Sequence, residues 1–286
     1  MDIVLYALVA FLYAVLAVAT PRPAAALAVA GGATGDAASP AAGATRALLA
    51  LAVVAHGVLL QRTIFPSDAM VFGFAFALST MFWLGVLIFW VESLFFPIDA
   101  MRRLVLPPAA VAVLLPLVFG GVRVLPYAAS LLFKFHFVIA NAVYGLFVVA
   151  AVHAVLMLVV EGRLHTLRAG NAAGVAVWLD ALPPLLTLER LMFRLITTGF
   201  VLLTLTLASG FVFTERLNEQ LLRFDHKTVF AILSWLMFGG VLLVHRLSGW
   251  RGRGAARWVL ASFAALVLAY VGSRFVFEVL LHRPVF

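Results

Sequence analysis

The sequence predicts an all-α membrane protein, a bundle of eight transmembrane helices, from three observations. Of 286 residues, 65% are hydrophobic and only 11% are charged, too few polar side chains to cover a water-soluble domain of this size. The mean hydropathy is +1.14. Apolar stretches long enough to cross a bilayer recur along the whole chain, separated by short polar segments. We therefore expect residues 1–286 to form a single integral membrane domain.

Eight apolar stretches are the expected spans. They are residues 3–19, 47–64, 70–91, 104–120, 135–159, 193–213, 228–245 and 257–276. The first lacks the basic beginning of a signal peptide, so we expect it to stay as the first helix. Residues 21–45, rich in Ala, Gly and Pro, predict a loose cytoplasmic linker. Residues 161–192 predict a cytoplasmic amphipathic segment, with Thr187 as the cap of the helix that follows.

The seventh span sets the expected orientation of the bundle. Residues 228–245 would extend about 27 Å as a helix, close to the thickness of the hydrocarbon core. His245 then lies where the span leaves the lipid, and four arginines follow it closely. They are Arg246, Arg251, Arg253 and Arg257. Because such a cluster marks the cytoplasmic side, we expect both termini outside, in a bacterial-type inner membrane.

Composition and motifs exclude several classes of function. The chain has no cysteine, which excludes disulfides and thiolate metal sites. A net charge of +8 would suggest nucleic acid as the partner of a soluble protein. Here the arginines are spread over loops between spans, so we interpret them as topology determinants and lipid contacts, with no nucleic-acid partner. No HExxH, phosphate-binding loop or Ser-His-Asp pattern occurs, and we expect no enzymatic activity.

Histidines are the candidate ligands. His56 lies near the middle of span two, where an imidazole needs a partner. His136 begins span five and His226 precedes span seven, at similar depth on the outer side, whereas His245 lies at the inner side. Two imidazoles at one depth on separate helices would supply both axial ligands of haem iron, which favours pairing His136 with His226. We interpret His153 as structural.

The region around span seven carries a family signature. The corresponding residues are Asp225, Lys227, Ala231, Trp235, His245, Gly249, Trp250, Arg251 and Gly252. This run resembles the cytochrome c assembly family of haem-handling membrane proteins. Upstream, residues 182–211 look most like its short branch of YpjD- or HemX-like inner-membrane proteins. The resemblance covers about residues 130–280 well.

The resemblance implies a set of ligands. His245 and His56 match the transmembrane histidines of the family, and His136 matches its first external haem-ligand histidine. That pairing differs from the one favoured by depth, since His56 would lie about 15 Å from the inner boundary. The external tryptophan-rich motif of the family's synthetases is missing from residues 214–226, where His226 replaces a proline. Synthetase activity is therefore not implied.

The function implied is haem binding that assists cytochrome c maturation or haem delivery across the membrane. The expected cofactor is haem b, with Trp235 and Trp250 packing the porphyrin and Arg251 and Lys227 pairing with its propionates. Expected partners are haem, the lipid bilayer and other cytochrome c assembly proteins. Two alternatives stay open: a membrane regulator or scaffold of haem synthesis or cytochrome assembly without bound haem, and a small-molecule transporter that uses His56.

Overall fold

A computed structural model describes residues 2–19, 40–65, 70–119, 123–124, 131–168, 182–216, 226–272 and 275–276. Eight α-helices occur in these ranges, which confirms the predicted all-α fold. They are α1 (Asp2–Val18), α2 (Pro40–Ile64), α3 (Phe74–Phe95), α4 (Arg102–Val118), α5 (Leu131–Arg168), α6 (Leu185–Arg216), α7 (His226–Ser248) and α8 (Arg253–Val267). A 3-10 turn (Asp99–Met101) precedes α4, and a π-helical turn (Leu268–Gly272) extends α8.

The predicted spans coincide with these helices. Six described stretches are long and apolar enough to cross a membrane, and they lie within α2, α3, α5, α6, α7 and the segment Asp99–Val118. Helix α1 is equally apolar but shorter. The eighth predicted span corresponds to α8 together with its π-helical turn. The chain is thus a multi-pass helical membrane protein.

Two predicted boundaries were wrong. Helix α2 already begins at Pro40, inside the predicted linker, because proline suits the first helical position and the alanines that follow favour helix. Helix α6 begins at Leu185, directly after two prolines, so Thr187 lies in its first turn and is not its cap. The rest of the linker, 21–39, and residues 169–181 of the amphipathic segment lie outside the described residues.

The eight helices form two groups of four. In the first group, α1 packs against α2 and α4, and α3 packs against α2 and α4. The second group repeats this arrangement, with α5 against α6 and α8, and α7 against α6 and α8. Helix α3 packs along α5 and joins the two groups. Each group therefore closes on itself, and one helix from each forms the main junction.

Two glycines let α3 and α5 approach closely. A Cβ atom at Gly145 of α5 would lie 2.6 Å from Leu84 Cβ and 3.1 Å from the Leu84 carbonyl carbon. At Gly85 of α3, a Cβ atom would lie 3.1 Å from Val148 Cγ1. Apolar side chains gain little by leaving lipid for a helix interface, so close backbone packing is what stabilises such a junction.

The two ends of the bundle differ. At one end, which we call the strand end, Val71–Phe72 and Arg123–Val124 form a two-residue antiparallel pair. The opposite end, which we call the arginine end, carries the loop 249–252 between α7 and α8. There the Arg46 guanidinium lies 3.4 Å from the Asp99 carboxylate, and Trp90 Nε1 donates to the Arg46 carbonyl. These contacts tie the ends of the first helices together.

Candidate functional site

His245 lies at the arginine end of α7 and is oriented by the loop that follows. Its Nδ1 is 2.8 Å from the carbonyl oxygen of Trp250, and since a carbonyl only accepts, Nδ1 carries the hydrogen. Neutral His245 therefore keeps a lone pair on Nε2. The ring also stacks on Phe193 of α6, with centroids 3.6 Å apart and planes 16° from parallel.

Two glycines shape this loop. Gly249 and Gly252 have φ of +67° and +72°, in the region that side chains with a Cβ rarely adopt. The Gly249 amide donates to the His245 carbonyl, and the chain then turns so that the Trp250 carbonyl reaches back to the His245 ring. Both glycines had been singled out by sequence, and the structure gives them a backbone role.

Glu189 holds the far side of the loop. The residue is buried, 8% exposed, and its carboxylate accepts a hydrogen bond of 3.2 Å from the Gly252 amide at the start of α8. A negative charge at a helix N-terminus is stabilising, because unpaired amides and the helix dipole both favour it. The contact joins α6 to α8 and thereby positions the loop that orients His245.

A cleft of about 680 Å³ opens beside His245. Its walls include the His245 and Phe193 rings and four exposed arginines. These are Arg190, Arg194, Arg246 and Arg251. In the described part of the chain, none of the four has a carboxylate within ion-pair distance. The cleft thus combines a flat aromatic wall, a histidine lone pair and unpaired positive charge, and it fits a planar anionic ligand that carries a metal.

The other candidates on α7 have different positions. Trp235 stacks on Phe200 and donates from Nε1 to Thr204 Oγ1 at 2.9 Å, about 15 Å along the helix from His245. Trp250 contributes its carbonyl to the site, while its side chain packs against the core. Lys227 lies at the strand end of the helix. Of the predicted propionate partners, Arg251 alone therefore lines the cleft.

His56 is a satisfied core residue. It is fully buried, with Nδ1 3.2 Å from the Tyr13 hydroxyl and Nε2 3.0 Å from Ser79 Oγ. Both ring nitrogens are engaged, so iron ligation would require one of these hydrogen bonds to break. Helix α2 packs on α1 and α3, whereas α7 packs on α6 and α8. The fold thus places His56 and His245 in different helix groups.

His136 lies at the strand end, on α5. Its Nδ1 is 2.9 Å from Ser209 Oγ, and the Ser209 hydroxyl donates to the Thr206 carbonyl. Since that hydroxyl has a single hydrogen, His136 Nδ1 is the donor and Nε2 carries the lone pair. His226 is the first residue of α7, but its side chain lies outside the described residues. The pairing of His136 with His226 stays a prediction.

Sequence reasoning missed Glu92, which is the only charged residue of α3. Its Oε2 atom lies 3.9 Å from Nε2 of His153, a fully buried residue of α5. A lone carboxylate in an apolar helix was the signal that could have identified it. Sequence reasoning also missed Phe193, which falls one helical turn after Glu189 and hence on the same face of α6.

The chain is similar in sequence to known proteins. The family model described as Cytochrome C assembly protein matches residues 43–281. An uncharacterized 28.8 kDa protein of Azospirillum brasilense is 34% identical over 166 residues, 58% of this chain and 57% of that protein. Inner membrane protein YpjD of Escherichia coli strain K12 is 32% identical over 133 residues, 46% of this chain and 47% of that protein.

A further relative carries a functional name. Cytochrome c biogenesis protein CcsA of Prochlorococcus marinus strain NATL1A is 33% identical over 85 residues, 30% of this chain and 27% of that protein. The chain thus spans about half the length of the first two relatives and about a quarter of the third. No solved structure matches this chain.

Proposed function

Because the chain belongs to the cytochrome c assembly protein family, we propose that it binds haem in the His245 cleft and assists cytochrome c maturation. The observation that carries the proposal is the imidazole of His245, whose Nε2 lone pair is left for a ligand by the Nδ1 hydrogen bond to Trp250. The proposed role is that of a carrier and not of a catalyst. Haem b is its cargo.

The residues of the cleft fit this group. Metal-binding histidines usually donate their second nitrogen to a carbonyl or carboxylate, which fixes the tautomer and the ring orientation. His245 has this arrangement with the Trp250 carbonyl, and its ring is further held by stacking on Phe193. An imidazole fixed in this way would serve as an axial ligand, and the flat wall would pack against a porphyrin.

Four guanidinium groups would hold the carboxylates of the cargo. Arginine presents paired donors that match a carboxylate, and such charge-assisted bonds are the strong ones. Arg251 belongs to the loop that orients His245, while Arg190 and Arg194 lie on α6 beside Phe193. Propionate groups entering the cleft would therefore meet positive charge without displacing an ion pair of the described residues.

We also propose that haem moves between the two ends of the bundle. His136 offers a second Nε2 lone pair at the strand end, the opposite end of the bundle from His245. Their contacts on α6, Ser209 and Phe193, are about 24 Å apart along that helix, too far for one haem to bridge. By the excess of arginines, we assign the arginine end to the cytoplasm and the strand end to the outside.

Visible spectroscopy of the detergent-purified full chain tests the proposal. With added haemin, we expect a Soret band and, after chemical reduction, split visible bands. His245→Ala should lower the intensity that comes from haem at the arginine end, and His136→Ala the intensity that comes from haem at the strand end. Each variant serves as the control for the opposite end. If the spectrum of haemin with the wild-type protein matched that of haemin in detergent alone, haem binding would be refuted and the regulator or scaffold would be favoured.

A further inference from the structure

A buried pair of titratable groups lies beside the cleft, and the proposed carrier role gives this pair no function. Glu92 of α3 and His153 of α5 meet at the junction of the two helix groups, with Oε2 and Nε2 3.9 Å apart. The His153 side chain is fully buried and that of Glu92 is 13% exposed. Neither atom has a hydrogen-bond partner within the ranges that the structure describes.

Hydrogen-bond chemistry shows what the pair lacks. His153 Nδ1 is 2.9 Å from the Val149 carbonyl, so Nδ1 carries the hydrogen and the neutral ring has only a lone pair at Nε2. An ionised Glu92 also presents only lone pairs. Two acceptors therefore face each other in a buried place, which leaves both unsatisfied. One added proton would complete the pair, with Glu92 donating to His153 or the reverse.

Arg194 connects this pair to the cleft. A second cavity of about 240 Å³ borders Glu92, and its lining includes Arg194 and Thr198. Both residues also line the His245 cleft, so Arg194 borders the two spaces. Arginine keeps its charge at all accessible pH. That one charge can balance either Glu92 or an anion in the cleft.

The other charged groups near α3 are engaged elsewhere. On α4, Arg102 donates to the Ala19 carbonyl. On α2, Arg46 pairs with Asp99. Arg103 is the next residue of α4 after Arg102, and Glu189 accepts a hydrogen bond from the Gly252 amide before α8. Arg194 of α6 shares the smaller cavity with Glu92, and His153 of α5 lies 3.9 Å from it.

We propose that Glu92 and His153 take up one proton when a carboxylate in the cleft offsets the positive charge of Arg194 near Glu92. The proton comes from solvent at the arginine end and adds to Glu92 Oε2, which then donates to His153 Nε2. No other bond forms or breaks. The inference rests on the proposed function, since it makes the charge of the cargo the trigger, and it adds a proton to the binding equilibrium. Carboxylate binding then weakens as pH rises.

Two probes isolate this effect in the detergent-solubilised full chain. Haemin and haemin dimethyl ester carry the same iron, but only haemin has free carboxylates. Dividing the affinity for haemin by the affinity for the ester therefore cancels the pH dependence of iron ligation. In wild type, we expect this haemin-to-ester affinity ratio to fall by up to about tenfold per pH unit from about pH 6 to about pH 9, because one proton is bound together with the carboxylate. In Glu92→Gln the ratio should stay constant. Asp99→Asn, which removes a carboxylate that pairs with Arg46, should keep the wild-type slope.

A constant ratio in wild type, or an equal slope in Glu92→Gln, would overturn the coupling. Infrared spectroscopy of the protein without haemin tests the pair independently of haem binding. The carbonyl stretch of protonated Glu92 is assigned by its loss in Glu92→Gln. In Arg194→Gln this band should persist to higher pH, because the cation that favours the ionised carboxylate is gone. If the pH range of this band is the same in Arg194→Gln as in wild type, the inference is refuted even if haemin binds. A protein that binds neither haemin nor its ester refutes the proposed function.

Discussion

The two four-helix groups treat their histidines in opposite ways. In the first group, His56 is enclosed by α1, α2 and α3, and both ring nitrogens have partners in Tyr13 and Ser79. In the second, His245 lies at a helix end, and only Nδ1 is bonded, to a backbone carbonyl. The same residue type thus stabilises a core in one place and presents a lone pair in the other.

The difference lies in what surrounds each ring. Two hydroxyl partners engage both nitrogens of His56 and leave neither for a ligand. The Trp250 carbonyl engages only one nitrogen of His245, so the other can bind a ligand in the cleft. The arginines of the two groups differ in the same way. Four arginines line the cleft of the second group, while Arg46 and Arg102 of the first group are bonded to Asp99 and to the Ala19 carbonyl.

The strongest test of this contrast exchanges the two histidines for alanine. His245→Ala should weaken haemin binding in the cleft by at least about 100-fold, since it removes the proposed iron ligand of that site, and leave thermal stability nearly unchanged. His56→Ala should do the opposite, because it leaves Tyr13 and Ser79 unsatisfied at a cost of about 1–3 kcal/mol each. Haemin titration and thermal unfolding in detergent measure both. Equal loss of haemin binding in the two variants would break the contrast.

The junction between the groups is tested by adding a methyl group. Gly145→Ala places a Cβ atom 2.6 Å from Leu84 Cβ, so α3 and α5 must separate. We expect a loss of about 1–3 kcal/mol in stability. Gly240→Ala on α7 is the matched control, because nothing lies within 4 Å of its added Cβ, and it should be neutral or slightly stabilising. Equal melting temperatures for the two variants would show that this close contact does not hold the groups together.

A smaller effect is expected from the support of the loop. Glu189→Ala removes the acceptor of the Gly252 amide, and the Trp250 carbonyl then holds His245 less firmly. Haemin affinity should fall about tenfold, an outcome typical of residues that orient a metal ligand. Helical content by circular dichroism should stay unchanged. If the affinity matched wild type, the loop would orient His245 without help from Glu189.

The smallest effect concerns charge in the cleft. Arg251→Gln should weaken haemin about three- to tenfold, in proportion to one lost charge-assisted bond, and the ester of haemin less. Arg257→Gln, an exposed arginine of α8 that does not line the cleft, should change neither. Titration of both probes at two salt concentrations measures the difference. A similar loss in both variants would reduce the role of these arginines to general attraction of anions.

Much of the fold could be predicted from the sequence. Bilayer thickness imposes a length on each apolar segment, so eight spans could be located from hydropathy, and each coincides with a described helix. Ends were harder to place, as with Pro40 and Leu185, because a helix continues into polar sequence wherever residues permit it. The resemblance to the family could also be recognised from the motif residues, and His245, Trp250 and Gly252 could be singled out as candidates, since the loop is formed by consecutive residues.

Only the tertiary structure decided how distant residues combine. Hydropathy places His56, His136, His153 and His245 on spans, but not the direction in which each helix turns its side chains or which helices are neighbours. Packing of α2 onto α1 and α3 engages both nitrogens of His56, and packing of α3 onto α5 brings Glu92 to His153. The sequence by itself therefore determined the spans and the loop, because lipid and backbone act locally. The pairing of helices, and with it the choice between a satisfied histidine and an available one, depended on contacts between distant segments.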